Sequence, residues 1–332
     1  MATNKPFSKA MLDLDCEACV EKITEGLRKS LASTLHRRGF IVAVSGGIDS
    51  SVTLALCAKA VGPERVIALQ MPERHSAEET LDLSGLVAET FKVKTYHEDI
   101  SPVLESVGFY TRYDQAVRTV IPEYGEGWKS KIVLPGISEN KAYNLYSIVA
   151  QSPDGDMVKK RLKHDAYLAI VSVTNFKQRI RKMFEYYYAD RFNYATTGTP
   201  NRLEYDQGFF VKLGDGSADI KPIAHLYKTQ VYTLARHLGV PADIVKRPPT
   251  TDTYSLPQGQ DEFYFALPYN TMDLCLYGKN HGYTPEDVAI VAGLTAEQVA
   301  YVYKDIDTKR ATTTYLHLPP VLLGSVPEIV HA

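Results

Sequence analysis

Cysteine is scarce in this chain, with four in 332 residues, too few for a disulfide framework. Cys16 and Cys19 form a C-x-x-C, but no second pair or histidine cluster follows at zinc spacing. Cys16, Val20, Ile23, Leu27 and Leu31 instead share one helical stripe, so both thiols read as helix residues. Long apolar runs are missing too. Nothing approaches the ~18 apolar residues of a membrane span, and the N-terminal segment carries Lys, Asp and Glu where a signal peptide would be apolar. Charge is nearly balanced at -2, so no strongly basic surface is expected for nucleic acid or membrane. These absences describe a cytoplasmic globular protein.

What is present is an alternation of strands and helices. The segment to Arg38 reads as one amphipathic helix ended by Gly39, and Phe40 to Val44 as a buried parallel strand. Ser45 to Ser51 turns into the helix that begins at Ser51. Gly62-Pro63 breaks the chain before a strand at Val66 to Met71. Ser76 with Glu79 reads as a capping box opening a helix to about Phe91, and Val93 to Tyr96 as a third strand. The fold class is therefore α/β, a doubly wound, mainly parallel sheet with helices on both faces and a ligand site at the strands' carboxyl ends. From Ser101 to about Thr174 glycines and prolines punctuate an aromatic excursion, too aromatic for a disordered linker. Regularity resumes with a helix from Phe176 to about Arg191 and a strand at Tyr194 to Thr197. One domain is expected over 1–332: an N-terminal helix (1–38), a core (39–100 and 175–280), an insertion (101–174) and a C-terminal segment (281–332).

The loop Ser45-Gly46-Gly47-Ile48-Asp49-Ser50-Ser51 is built for an anion. Two glycines let N–H groups turn inward, and the helix start adds unpaired N–H groups and the positive end of its dipole. Gly-Lys-Ser/Thr is absent, so this is not a Walker A loop, and the Gly-x-Gly-x-x-Gly dinucleotide spacing is absent as well. Asp49 puts a carboxylate beside the anion, which suits a bridging magnesium ion. The loop resembles the Ser-Gly-Gly-x-Asp-Ser signature of the ATP pyrophosphatase (PP-loop) family, which splits ATP into AMP and pyrophosphate to form an adenylate.

Further on, Gly198-Thr199, Glu204, the block Gly208-Phe209-Phe210-Val211-Lys212-Leu213-Gly214-Asp215-Gly216 with Ala218-Asp219, and Pro222 follow in order. They are similar to the ammonia-dependent NAD synthetase family. Leu226 to Val231, Pro249-Thr250, Gly259-Gln260-x-Glu262 and Tyr269-x-x-Met272-Asp273 extend the likeness. The resemblance implies adenylation of nicotinic acid adenine dinucleotide by ATP and its amidation by ammonia in a homodimer, part of whose interface the N-terminal helix could supply. By position, Ser45, Gly46, Gly47, Ile48, Asp49, Ser50, Ser51 and Val52 would surround the ATP phosphates, with Leu69 near adenosine and Thr199, Lys228 and Thr250 touching ATP. Asp49 and Glu204 would bind Mg2+, and Asp49, Glu204 and Lys228 would carry catalysis. Arg179, Lys212, Asp219, Thr308 and Lys309 would meet the dinucleotide. Pro200-Asn201-Arg202 stand where the family usually has Asp-His-Ala, and Thr308 where it has His. These departures keep open another acceptor carboxylate; a non-enzymatic nucleotide-binding relative is a further alternative, against which the intact Asp49, Glu204 and Lys228 count. About forty residues precede the first strand, too few for a glutaminase domain, so free ammonia is the expected nitrogen donor.

Overall fold

A computed structural model describes residues 5–76, 78–134, 146–249, 253–259, 264–265 and 267–329. Helix α1 (Cys16–Lys29) leads through a wider π turn (Ser30–Thr34) to β1 (Phe40–Ala43), α2 (Ile48–Val61) and β2 (Val66–Gln70). Helix α3 (Glu78–Thr90) and strand β3 (Lys94–His97) complete this half. Helices α4 (Ser101–Ser106) and α5 (Phe109–Arg118), strands β4 (Lys129–Val133), β5 (Ser147–Gln151) and β6 (Met157–Arg161), and the 29-residue α6 (His164–Phe192) follow. The chain returns as β7 (Ala195–Thr197), then runs through α7 (Arg202–Gln207), α8 (Lys228–Leu238), α9 (Ala242–Lys246), α10 (Tyr269–Asn280), α11 (Pro285–Ala292) and α12 (Ala296–His317).

The main sheet is parallel, in the order β3-β2-β1-β7. Both faces are covered, which is why β1 and β2 are continuous apolar runs. Phe40, Val42 and Val44 pack with residues of α1, α2 and α8 on one side. Ile41, Ile67 and Leu69 pack with α4, α5 and α6 on the other. Helices α10 to α12 close a third core around Met272, Leu276, Val299 and Ile306, into which Leu203 of α7 and Tyr227 reach.

The N-terminal helix is shorter than the expected segment to Arg38. It ends where Leu35 N donates to Ser30 O at 2.8 Å, and His36 takes φ 50. Its buried residues Val20, Ile23 and Leu27 join the core cluster with α2 and α8, so its apolar stripe packs within the chain. The long helix begins a full three turns earlier than Phe176, because Ile170 and Val173 bury against Phe109, Tyr113 and Val117. The excursion before it holds two helices and an antiparallel sheet, β4-β5-β6. The Ser76 hydroxyl accepts from the Glu73 N–H at 3.1 Å; the capping box expected from Ser76 to Glu79 spans residue 77, which lies outside the described residues.

Candidate active site

Over the carboxyl ends of β1, β2 and β7 lies a cavity of about 900 Å³. Strand β1 has β2 on one side and β7 on the other, so the chain's direction of winding reverses beside it and opens a crevice. The Ser45 loop forms its floor. Gly46 takes φ +68, and a Cβ there would lie 2.8 Å from the Thr80 carbonyl oxygen and 2.9 Å from Leu83 Cβ, so only glycine fits. No side chain caps the start of α2, which leaves its first-turn N–H groups for an anion.

Ser45, Gly46, Gly47, Ile48, Asp49 and Ser50 line the cavity, and Leu69 lines it from the end of β2. Ser50 and Ser51 donate to the Gly47 carbonyl at 3.0 and 2.8 Å, and Ser50 Oγ accepts from Ser45 N–H at 3.3 Å. Both hydroxyls therefore lock the turn. Val52 is fully buried in the core beneath it.

Beside the loop sits a charged cluster drawn from three distant segments. Lys228 Nζ donates to Asp49 Oδ2. Asn201 Nδ2 donates to Asp49 Oδ1 at 3.1 Å and to Glu204 Oε2 at 2.9 Å. The Asn201 N–H also reaches Glu204 Oε2, at 3.0 Å. Burial first, and then the neighbouring Asp49, push the Glu204 carboxyl up to about 8, against the opposing pull of Lys228. Burial alone would depress the Lys228 ammonium, but Asp49 and then Glu204 reverse this and hold it above its usual range. Asp273 on α10 fixes the lysine's backbone, accepting from Lys228 N–H at 3.2 Å and Thr229 N–H at 2.7 Å. It thereby caps α8 from a different helix.

The far wall is organised by α6. Lys177 forms a buried pair with Glu73 at 2.7 Å, and Arg181 Nε donates to the Met71 carbonyl at 3.2 Å, so α6 grips the segment after β2. Between them, about half a turn round the helix, Arg179 Nε donates to the Lys212 carbonyl at 3.3 Å. Lys212 Nζ in turn holds the end of α12 through the Tyr315 and Leu318 carbonyls, at 2.7 and 2.9 Å. Lys309 pairs with Asp305 at 2.7 Å and donates to the Tyr264 carbonyl at 2.6 Å. Burial depresses the Lys309 ammonium, and Asp305 opposes that shift.

Thr199, Arg179, Lys212, Thr308 and Lys309 all line the same cavity as the Ser45 loop. Asp219 does not. Its carboxylate accepts from Thr196 N–H at 2.7 Å and the Tyr186 hydroxyl at 3.3 Å, which ties β7 to α6. Thr250 lies outside the described residues. Sequence reading gave no role to Asn201 or Asp273. The Asn-x-x-Glu spacing of a capping box was available for Asn201, and that box is present at the start of α7. Its partner Asp49 is 152 positions away, which no local pattern reports.

The NAD synthase family model matches residues 19–121 and 138–312. An NH(3)-dependent NAD(+) synthetase of Mesorhizobium japonicum is 55% identical over 96% of this chain and 100% of that protein. Its namesakes in Rhizobium meliloti and Methanocaldococcus jannaschii are 54% and 30% identical, over 97% and 94% of this chain and 96% and 97% of theirs. Among solved structures, the fold matches the NH3-dependent NAD synthetase of Campylobacter jejuni at TM-score 0.60 and 20% identity, covering 94% of this chain and 100% of that one. The NMN synthetase of Francisella tularensis matches at TM-score 0.60 and 21% identity, over 93% and 99%. With a glycine loop, a carboxylate pair and a buried lysine at the switch point of its sheet, and with these relatives at nearly full length, the chain belongs to the NAD synthase family.

Proposed function

We propose that the protein is an ammonia-dependent NAD synthetase that adenylates nicotinic acid adenine dinucleotide with ATP and amidates the product. The observation that carries this reading is the Asp49–Asn201–Glu204–Lys228 cluster at the foot of the glycine loop, facing the cavity shared with Arg179 and Lys309. In the first step a nicotinate carboxylate oxygen attacks the α-phosphorus of ATP, and the bond to the β-phosphate oxygen breaks. Backbone N–H groups of Gly46, Gly47 and the start of α2 hold the phosphates, and Lys228 neutralises charge growing on the departing pyrophosphate. In the second step neutral ammonia attacks the acyl carbon, loses a proton, and AMP leaves.

Asp49 and Glu204 would hold Mg2+. Two carboxylates close enough for one amide to bridge, one of them pushed up by burial and by the other, suit a hard cation that draws its remaining ligands from water and phosphate. Such an ion supplies charge neutralisation on the triphosphate and orientation of its α-phosphorus. Arg179, Lys212, Thr308 and Lys309 would receive the dinucleotide, whose phosphates suit cationic partners. The thiols support free ammonia as donor, since Cys57 and Cys275 are buried in apolar cores and Cys16 and Cys19 belong to α1. We place the enzyme in the cytoplasm as a homodimer, to whose interface the outer face of α1 could contribute; Met183 and Tyr187 of α6, each 53% exposed, offer a further apolar surface.

Pyrophosphate release should require ATP, nicotinic acid adenine dinucleotide and ammonium together, and should survive alkylation of all four thiols. At fixed total ammonium the rate should climb with pH as neutral ammonia accumulates. Release with another carboxylate in its place would favour a different acceptor, the reading that Thr308 and Pro200-Asn201-Arg202 keep alive. Equal use of glutamine by the purified protein alone would overturn the donor assignment.

A further inference from the structure

Asn201 is 1% exposed and uses both ends of its amide. The oxygen accepts from Leu203 N–H at 2.9 Å and Glu204 N–H at 3.3 Å, capping α7. The nitrogen sends one N–H toward Asp49 Oδ1 and the other toward Glu204 Oε2, at 3.1 and 2.9 Å. These carboxylates come from the first helix after β1 and the first helix after β7, and no backbone hydrogen bond joins those two helices directly. A planar amide has its two N–H bonds fixed in a fork, so engaging both fixes one carboxylate oxygen relative to the other. The group is also neutral. A lysine in its place would cancel the charge that attracts a cation, and an aspartate would add repulsion.

We infer that Asn201 is a positioning residue that sets the mutual orientation of Asp49 and Glu204 before the divalent cation and ATP bind. This rests on the reading of those carboxylates as the holders of the cation. The amide therefore has two separable duties, capping through oxygen and bridging through nitrogen. Serine caps a helix about as well as asparagine but has no second donor to span two carboxylates.

Asn201→Ser separates the duties. The probe is Mn2+, titrated by electron paramagnetic resonance in the presence of a non-hydrolysable ATP analogue, with melting temperature and steady-state constants measured alongside. The serine variant should melt within about 2 °C of the parent, because the cap is kept. Its Mn2+ dissociation constant should rise about tenfold, the scale of losing a group that orients metal ligands. Its kcat should fall, while the Michaelis constant for the dinucleotide stays within about twofold. Asn201→Thr, another capping residue without an amide, repeats the test should the serine variant fail to fold. Parental Mn2+ affinity and kcat in either folded variant would reduce Asn201 to a helix cap and overturn the inference. A parent protein that binds no Mn2+ would instead overturn the metal reading beneath it.

Discussion

Replacing Lys228 by Met tests the electrostatics of the site most directly. The lysine side chain is 2% exposed and Asp49, its partner, 16%. Methionine fills a similar volume, so packing loss is small and the main cost is a carboxylate left without its counter-ion beside Glu204. Breaking a buried pair costs 3–5 kcal/mol, and the partial exposure of Asp49 argues for the lower end, about 3 kcal/mol. Asp49→Asn should cost a comparable amount by stranding the ammonium. The double variant Asp49→Asn/Lys228→Met strands neither charge, so the sum of the two single costs should exceed the double cost by about 2 kcal/mol. Urea unfolding of the four proteins closes the cycle. All three variants should lose turnover by at least ~10²-fold if the lysine stabilises developing charge on pyrophosphate. Single costs that simply add would refute the pairing, and a Lys228→Met enzyme with near-parental kcat would refute the catalytic role.

Glu204→Gln should abolish turnover yet help the ligand-free fold in a pH-dependent way. The folded carboxyl is pushed up to about 8 while the unfolded one keeps its ordinary value of 4.5, so the folded state binds the extra proton between those values. Parent stability therefore falls as pH rises through that window, and the advantage of the glutamine variant in melting temperature should grow from pH 5 to pH 9; a constant difference would show that Glu204 ionises without penalty. Asp273→Ala should cost about 2–4 kcal/mol by leaving the buried N–H groups of Lys228 and Thr229 without their acceptor. It should also lower kcat through a displaced lysine, and a variant that lost stability alone would deny the cap any part in positioning.

The strand–loop–helix unit at Phe40 to Val61 was legible because everything defining it is local: an apolar run, two glycines and a helix pattern within one short stretch. The parallel alternation to His97 was legible for the same reason. The start of α6 was not, since Ile170 and Val173 declare themselves only against α5. The small antiparallel sheet hid because its Lys-rich β6 lacks an apolar face and turn residues interrupt the segment around it. At the site, Asp49, Glu204 and Lys228 were named individually, but their convergence is tertiary. Asn201 looked like a departure from a pattern until its amide was seen between two acids.

Helix α6 has a consequence of its own. At roughly 1.5 Å per residue its 29 residues make a rod about 43 Å long. Three successive odd-numbered residues divide its grip: Lys177 and Arg181 hold the segment where adenosine is expected, and Arg179 between them holds the loop of Lys212. Reaction requires a carboxylate oxygen to come within bonding reach of one phosphorus atom, so the gap between two separately bound molecules has to be gauged. A stiff rod clamped to both seats acts as a caliper. Inserting two residues into α6 between Lys177 and Arg181 would turn one part of the rod by about 200° against the other and part the two grips, so catalysis should fail.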